Sequence, residues 1–177
     1  MVVVVIIGIL ASLAVPQIVE RLRERRANQA AQEIALMYRN ARMRAVGQGF
    51  AVLVRYNATG FEVRQALPPA AGACTLQLPP SCTTNLWLTP GTDYRVIDAF
   101  NANNYPGVTE AVTAGTGAVT ALDLCFSPRG RTFSRTNPAN VLNPTAGMTD
   151  VAVSRTAVPG KIRRVSILPN GMARLAL

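Results

Sequence analysis

The sequence predicts an α+β fold, in which one long N-terminal helix, kinked at Pro16, packs on an antiparallel β-sheet or sandwich head. Three observations predict it. Residues 17–46 contain neither glycine nor proline and are rich in strong helix formers. From Gly47 the chain changes to short runs of β-type residues separated by turn signals. The last two runs flank Pro169-Asn170-Gly171, and Asn-Gly between alternating apolar runs is a strong hairpin signal.

The helix comes first. Met1 to Val15 reads MVVVVIIGILASLAV, without a charge, and Pro16 follows. A bilayer core takes about 20 apolar residues in helical form, and Ile18, Val19 and Leu22 carry the apolar character to about that length. Val2, Val5, Ile9, Leu13 and Pro16 are therefore candidate membrane or filament-core residues. Beyond them an apolar stripe recurs at Ala27, Ala30, Ile34, Met37, Ala41 and Ala45, close to the helical period, with Arg25, Gln32 and Arg39 opposite. The two segments read as one helix of about 45 residues, nearly 70 Å long at 1.5 Å per residue. Pro16 lacks a backbone donor and crowds the preceding turn, which predicts a kink or a local melt. The expected division is a helix at 1–46, with 1–19 transmembrane and 20–46 an amphipathic spine, and a β-rich head at 47–177. Arg21, Arg23, Arg25 and Arg26 lie just past the apolar span, where arginine reaches lipid phosphates. A cleaved secretory signal ending at Ala11-Ser12-Leu13-Ala14 is the competing reading. It lacks the basic leader such signals carry, and the chain runs on as helix.

In the head, residues 51–56 and 61–67 read as strands joined by a turn at Asn57 to Gly60. Pro68 to Gly72 and Pro79 to Ser81 interrupt the pattern. Tyr94 to Phe100 reads as a strand, Phe100 to Gly117 as a long loop, and Ala118 to Phe126 as one alternating strand. A second loop follows at Asn137 to Gly147, then a short strand at Asp150 to Ser154 and the closing hairpin.

Composition limits the chemistry. The chain has no histidine, which removes the usual general base and metal ligand. Its three cysteines cannot complete a tetrahedral thiolate zinc site. Asp93, Asp98, Glu110 and Asp123 are scattered and read as surface charges, so no enzyme and no cofactor are expected. The cysteines fit one disulfide and one leftover thiol in an oxidising compartment. Cys74 with Cys82 closes a short loop, Cys82 with Cys125 a longer one, and spacing does not choose between them. The net charge of +9 is uneven. Residues 20–46 hold seven basic and three acidic side chains, 47–125 three and five, and 126–177 eight and one. Basic ends suggest contact with anions, either headgroups or nucleic acid.

The N-terminal run, with Gly8, the small residues Ala11, Ser12 and Ala14, and Pro16, resembles the helix of type IV pilins and type II secretion pseudopilins. Cys125 to Arg135 (CFSPRGRTFSR) resembles the Phe-x-Pro-x-Gly segment of the GspH/FimT branch of that family. Arg163 to Leu175 resembles its closing Arg-Arg-Val and Gly-Arg-x-Arg hairpin, with Met172 in place of the first arginine of the latter. The junction ARMRAVGQGFAVLV is similar as well. In that family a prepilin peptidase cuts a leader after a glycine upstream of this helix. The stretch is absent here, so the leader and first mature residues are expected to precede Met1.

The resemblance implies a minor structural subunit of a secretion pseudopilus or a type IV pilus. Its partners would be other pilins, the inner membrane before assembly and the prepilin peptidase, with the head in the periplasm or in a filament. Some FimT-like members bind DNA, which implies DNA as a further partner. Arg129, Arg131, Arg135, Lys161, Arg163, Arg164 and Arg174 are the candidate contacts, through phosphates rather than bases. Strand alternation sends Arg163 and Arg164 to opposite faces, and no aromatic residue interleaves the tail after Phe133. A periplasmic binding module with a cleaved signal is the third reading.

Overall fold

The computed structural model describes residues 2–68, 80–115, 117–156 and 162–176, with the side chains of residues 2–17 outside that description. Helix α1 spans Val2–Gln48 and is unbroken through Pro16. The expected local melt is thus corrected: the turns on either side hold the helix across the single missing donor. Gly49, at φ 74°, takes the left-handed conformation that ends helices. The predicted stripe is the buried one, with Ala27, Ala30, Ile34, Met37, Ala41 and Ala45 at most 3% exposed. Ala31, Ala35 and Tyr38 widen it. The alanines let two sheets approach the helix closely, while Ile34 and Tyr38 fill the space between them.

Two antiparallel sheets face the helix: the first has the order β3 (Tyr94–Asn101), β2 (Gly60–Ala66), β1 (Val52–Asn57), β6 (Leu122–Phe126), β7 (Thr132–Arg135), β8 (Asn143–Pro144), and the second β11 (Ala173–Ala176), β10 (Arg163–Ile167), β9 (Thr149–Arg155), β4 (Val108–Ala114), β5 (Gly117–Val119). Strands β1 (Val52–Asn57) and β2 (Gly60–Ala66) form the expected hairpin, whose turn is held by Asn57 Oδ1 accepting from the Thr59 amide at 2.9 Å. Strand β3 (Tyr94–Asn101) pairs with β2 at the sheet's edge.

The segment expected to be one long loop contains a short 3-10 turn (Ala102–Asn104) and strand β4 (Val108–Ala114). Its Thr- and Gly-rich neighbourhood hid the alternation of Val108, Glu110, Val112 and Ala114. Pairing with β9 (Thr149–Arg155) fixes it, with Val112 opposite Val151. The single strand expected at 118–126 is two. Strand β5 (Gly117–Val119) edges the second sheet and β6 (Leu122–Phe126) joins the first. The chain changes sheets at Thr120-Ala121, a step that alternation alone cannot reveal. Strands β7 (Thr132–Arg135) and β8 (Asn143–Pro144) complete the first sheet. Strands β10 (Arg163–Ile167) and β11 (Ala173–Ala176) form the closing hairpin.

The main core lies between α1 and both sheets and includes Val52, Val54, Phe61, Leu124, Phe126, Val151 and Val165. A smaller core lies on the other side of the first sheet, where Leu53, Cys125 and Ala66 meet Cys82, Trp87, Tyr94 and Leu142.

Candidate functional site

The closing hairpin decides which basic residues are available. In β10 the side chains alternate, so Arg163 turns inward and is 5% exposed, with its Nε donating to Asn28 Oδ1 on α1. Arg164 turns outward and is exposed. Arg174 on β11 lies opposite Ser166, one diagonal step from Arg164, and is exposed on the same outer face. Ser166 donates to Asp150 Oδ1 beside them, which places one carboxylate next to the two arginines.

Arg129 and Arg131 are exposed at the β6–β7 turn, which Gly130 closes at φ 76°. That turn and the β10–β11 turn are neighbours through Gly171. A Cβ there would fall 2.9 Å from Phe126 Cε1 and 2.9 Å from Thr132 Oγ1, and its φ is +78°. Glycine is therefore required at 171 by packing and by backbone conformation. Lys161 lies outside the described residues, as does Cys74.

Arg135 is not a free cation. Its Nε donates to Asp123 Oδ2 at 2.8 Å and its Nη1 to the carbonyl of Asn140 at 2.8 Å. Arg55 binds the same carboxylate through two bonds, Nε to Oδ1 at 2.7 Å and Nη2 to Oδ2 at 2.8 Å. Asp123, expected at the surface, has a side chain only 1% exposed. In register, Glu62, Arg55, Asp123 and Arg135 form a row of alternating charge across β2, β1, β6 and β7. Arg64 adds to it, bound to Glu62 at 2.9 Å and lying 4.2 Å from the centroid of the Tyr94 ring. The convergence of these residues on one carboxylate is a matter of sheet order.

The other acidic residues divide as well. Asp93 accepts the amides of Leu88 and Thr89, each at 3.0 Å, and so shapes the loop beneath the smaller core. Asp98 is exposed. Glu110 is half-buried, and desolvation raises its carboxyl pKa. Glu33 accepts from Tyr105, which pushes that phenol up to about 12. Burial raises Tyr56, with nearby Glu110 adding to the effect.

Cys82 is bonded to Cys125, with Cα atoms 5.8 Å apart, so the structure chooses the longer of the two loops that spacing allowed. The pairing of Cys74 with Cys82 is thereby excluded. Cys125 faces away from the helix on β6, and Cys82 reaches it from the loop that covers that face.

No protein-family profile and no curated protein sequence matches the chain. Two crystal structures of the type IV minor pilin FimU from Pseudomonas aeruginosa (strain PAO1) do resemble it. The form in space group P21 has a TM-score of 0.51 and 21% identity, covering 87% of this chain and 90% of that one. The form in space group P65 has a TM-score of 0.48 and 21% identity, covering 85% and 92%. The chain has a type IV pilin-like fold.

In this pilin-like fold the long helix is the element that meets both sheets. The first helix residue seen to bond to the head is Glu20, whose Oε1 lies 3.5 Å from Arg155 Nη1 on β9. Arg23, Arg26 and Arg155 border a cavity of about 350 Å³ beside Gly107 at that end. Among the described residues no helix is long and apolar enough to cross a membrane. The side chains of Val2, Val5, Ile9, Leu13 and Pro16, on which that expectation rests, lie outside them.

Proposed function

We propose that this chain is a minor pilin-like structural subunit, of the GspH/FimT kind, of a type II secretion pseudopilus or a type IV pilus. The observation that carries the reading is the single 47-residue helix, in which Glu20 is the first of the described side chains to bond to the head. The uncharged sequence at 1–15 suits lipid before assembly and the helices of neighbouring pilins afterwards. On this reading residues 1–19 span the inner membrane, 20–46 form the spine, and 47–177 stand in the periplasm or on the filament. A prepilin peptidase would act on a longer precursor.

Fractionation of cells expressing the protein tests this. The full chain should sediment with membranes, resist high salt and be released by detergent, and it should copurify with sheared filaments or cross-link to another pilin. A mature N-terminus near Ala14, found by mass spectrometry, would instead favour a periplasmic module freed from a cleaved signal.

DNA binding is a second reading, and one observation favours it: Arg164 and Arg174 share an exposed face. Sequence-nonspecific phosphate contact would give duplex retardation that weakens steeply with salt. The double variant Arg164→Gln, Arg174→Gln should lose most of that retardation. Unchanged binding in this variant would place the contact elsewhere, with Arg129 and Arg131 the next to test.

A further inference from the structure

Where the helix leaves the head, its buried stripe changes character. The period of Ala27, Ala30, Ile34, Met37 and Ala41 runs back one further turn to position 23, which holds arginine. Arg23 thus lies on the head-facing side of α1, at the level where the head ends. With Arg26, with Arg155 at the end of β9, and with the turn at Pro106-Gly107, it borders the cavity of about 350 Å³. Gly107 holds that turn at φ 81°, and the space where its Cβ would stand is empty, so the wall there is open.

The cavity has more positive charge than its own residues neutralise. Arg23 and Arg26 are exposed and have no ion-pair partner among the described residues. Arg155 has a side chain 10% exposed, and its Nη1 reaches Glu20, itself 63% exposed, across 3.5 Å. A pair so long and so open to water neutralises little. Glu24 does not border the cavity. Three guanidiniums therefore share one loosely held carboxylate, an excess of two positive charges.

Apolar side chains stand on the same face of the helix. Val19, Leu22, Arg23 and Arg26 follow the i, i+3, i+4, i+7 spacing that brings residues to one face. Val19 is 39% exposed and Leu22 48%, uncovered by the head although the arginines begin beside them. Two uncovered aliphatic residues, followed along one face by two uncovered arginines, match a ligand with an apolar tail and an anionic head. The depth agrees. Arg23 is four residues past Val19, about 6 Å along the axis, and the headgroup layer on one side of a bilayer is roughly 5–8 Å deep.

We propose, resting on the reading of residues 1–19 as the membrane span, that this cavity binds the phosphate of one anionic phospholipid. Its acyl chain lies along Leu22 and Val19, towards the uncharged run. The phosphate oxygens accept from the guanidiniums of Arg23, Arg26 and Arg155, whose planar forks suit them. A free phosphate or a nucleic acid would leave Val19 and Leu22 uncovered. An acidic segment of a neighbouring protein would cover them only by bringing its own backbone polar groups against an apolar face, which an acyl chain does not. The lipid thereby fixes the head, through Arg155, at one height and rotation above the membrane surface.

Native mass spectrometry of the full chain, released from nonionic detergent micelles, tests this. With equal amounts of phosphatidylglycerol and phosphatidylcholine of the same chain length, one phosphatidylglycerol should be retained, with at least about tenfold preference. Arg23→Gln and Arg155→Gln should each weaken its retention about fivefold. Arg25→Gln, the same charge change on the outer face of the helix, should leave it unchanged. Equal loss in Arg25→Gln would reduce the effect to diffuse attraction and overturn the proposal, as would equal retention of both lipids. Displacement by an equal concentration of glycerol 3-phosphate would make it a site for free phosphate. Displacement by an equal concentration of acetyl-Val-Leu-Glu-Ala-amide would give the cavity to a protein partner instead. Micelle binding does not require insertion in a bilayer, so absent lipid preference sinks this proposal alone. A chain that does not sediment with membranes sinks the reading beneath it.

Discussion

On the helix side of the first sheet, Val52, Val54, Leu124 and Phe126 meet Ile34, Tyr38 and Ala41 of α1, whereas on the far side Leu53 and Cys125 meet Trp87, Leu142 and Cys82 of two loops. The helix brings a continuous apolar stripe whose backbone bonds are satisfied within the helix, so burial alone closes that face. Loops bring unpaired backbone groups and few apolar side chains, and closing a face with them takes other devices. Here those devices are a disulfide, a charge row and side-chain caps such as Asp93 on the amides of Leu88 and Thr89. One face is held by area, the other by specific bonds.

Three changes would break or sharpen this contrast. Asp123→Ala leaves Arg55 and Arg135 buried without their carboxylate and should cost about 3–5 kcal/mol in urea unfolding. A loss on the scale of a surface ion pair would mean that water reaches the row and that the far face is softer than its burial suggests. The double variant Cys82→Ala, Cys125→Ala should cost about 2–4 kcal/mol. It should also shift Trp87 emission toward that of an exposed indole while the circular dichroism of α1 is kept. Simultaneous loss of the helix signal would show the two faces to be one cooperative unit.

The smallest effect belongs to the helix side. Glu110, on the face of β4 that carries Val112 into the main core, has a raised pKa, so folding favours its protonated form. Its contribution is fully present below the ordinary carboxylate pKa and is lost as pH rises through the raised one. Glu110→Gln should therefore stabilise the protein at neutral pH and do nothing at acid pH. The gain is less than about 1 kcal/mol because the group is only half-buried. A variant less stable than the parent at pH 7 would show that the ionised carboxylate has a partner after all.

Much of the site was open to reading at the level of residues and closed at the level of neighbours. Strand alternation in Ile162-Arg163-Arg164-Val165 correctly separated the two arginines, because the period of a strand is two whatever surrounds it. The same reasoning could not say that Arg163 would meet Asn28, more than a hundred residues away, or that Arg135 would be taken up by Asp123. Val108 to Ala114 reads as loop in sequence because its Thr, Glu and Ala residues gain strand character only when paired with β9.

The long helix, its buried stripe and the closing Asn-Gly hairpin were determined by sequence alone. Each depends on a local period or a single residue's conformational freedom. Tertiary structure alone decided the order of strands in two sheets, the partner of Cys82, and which arginines are bound and which are free. Those outcomes depend on segments meeting across long separations, where packing and electrostatics choose among pairings that are locally equivalent.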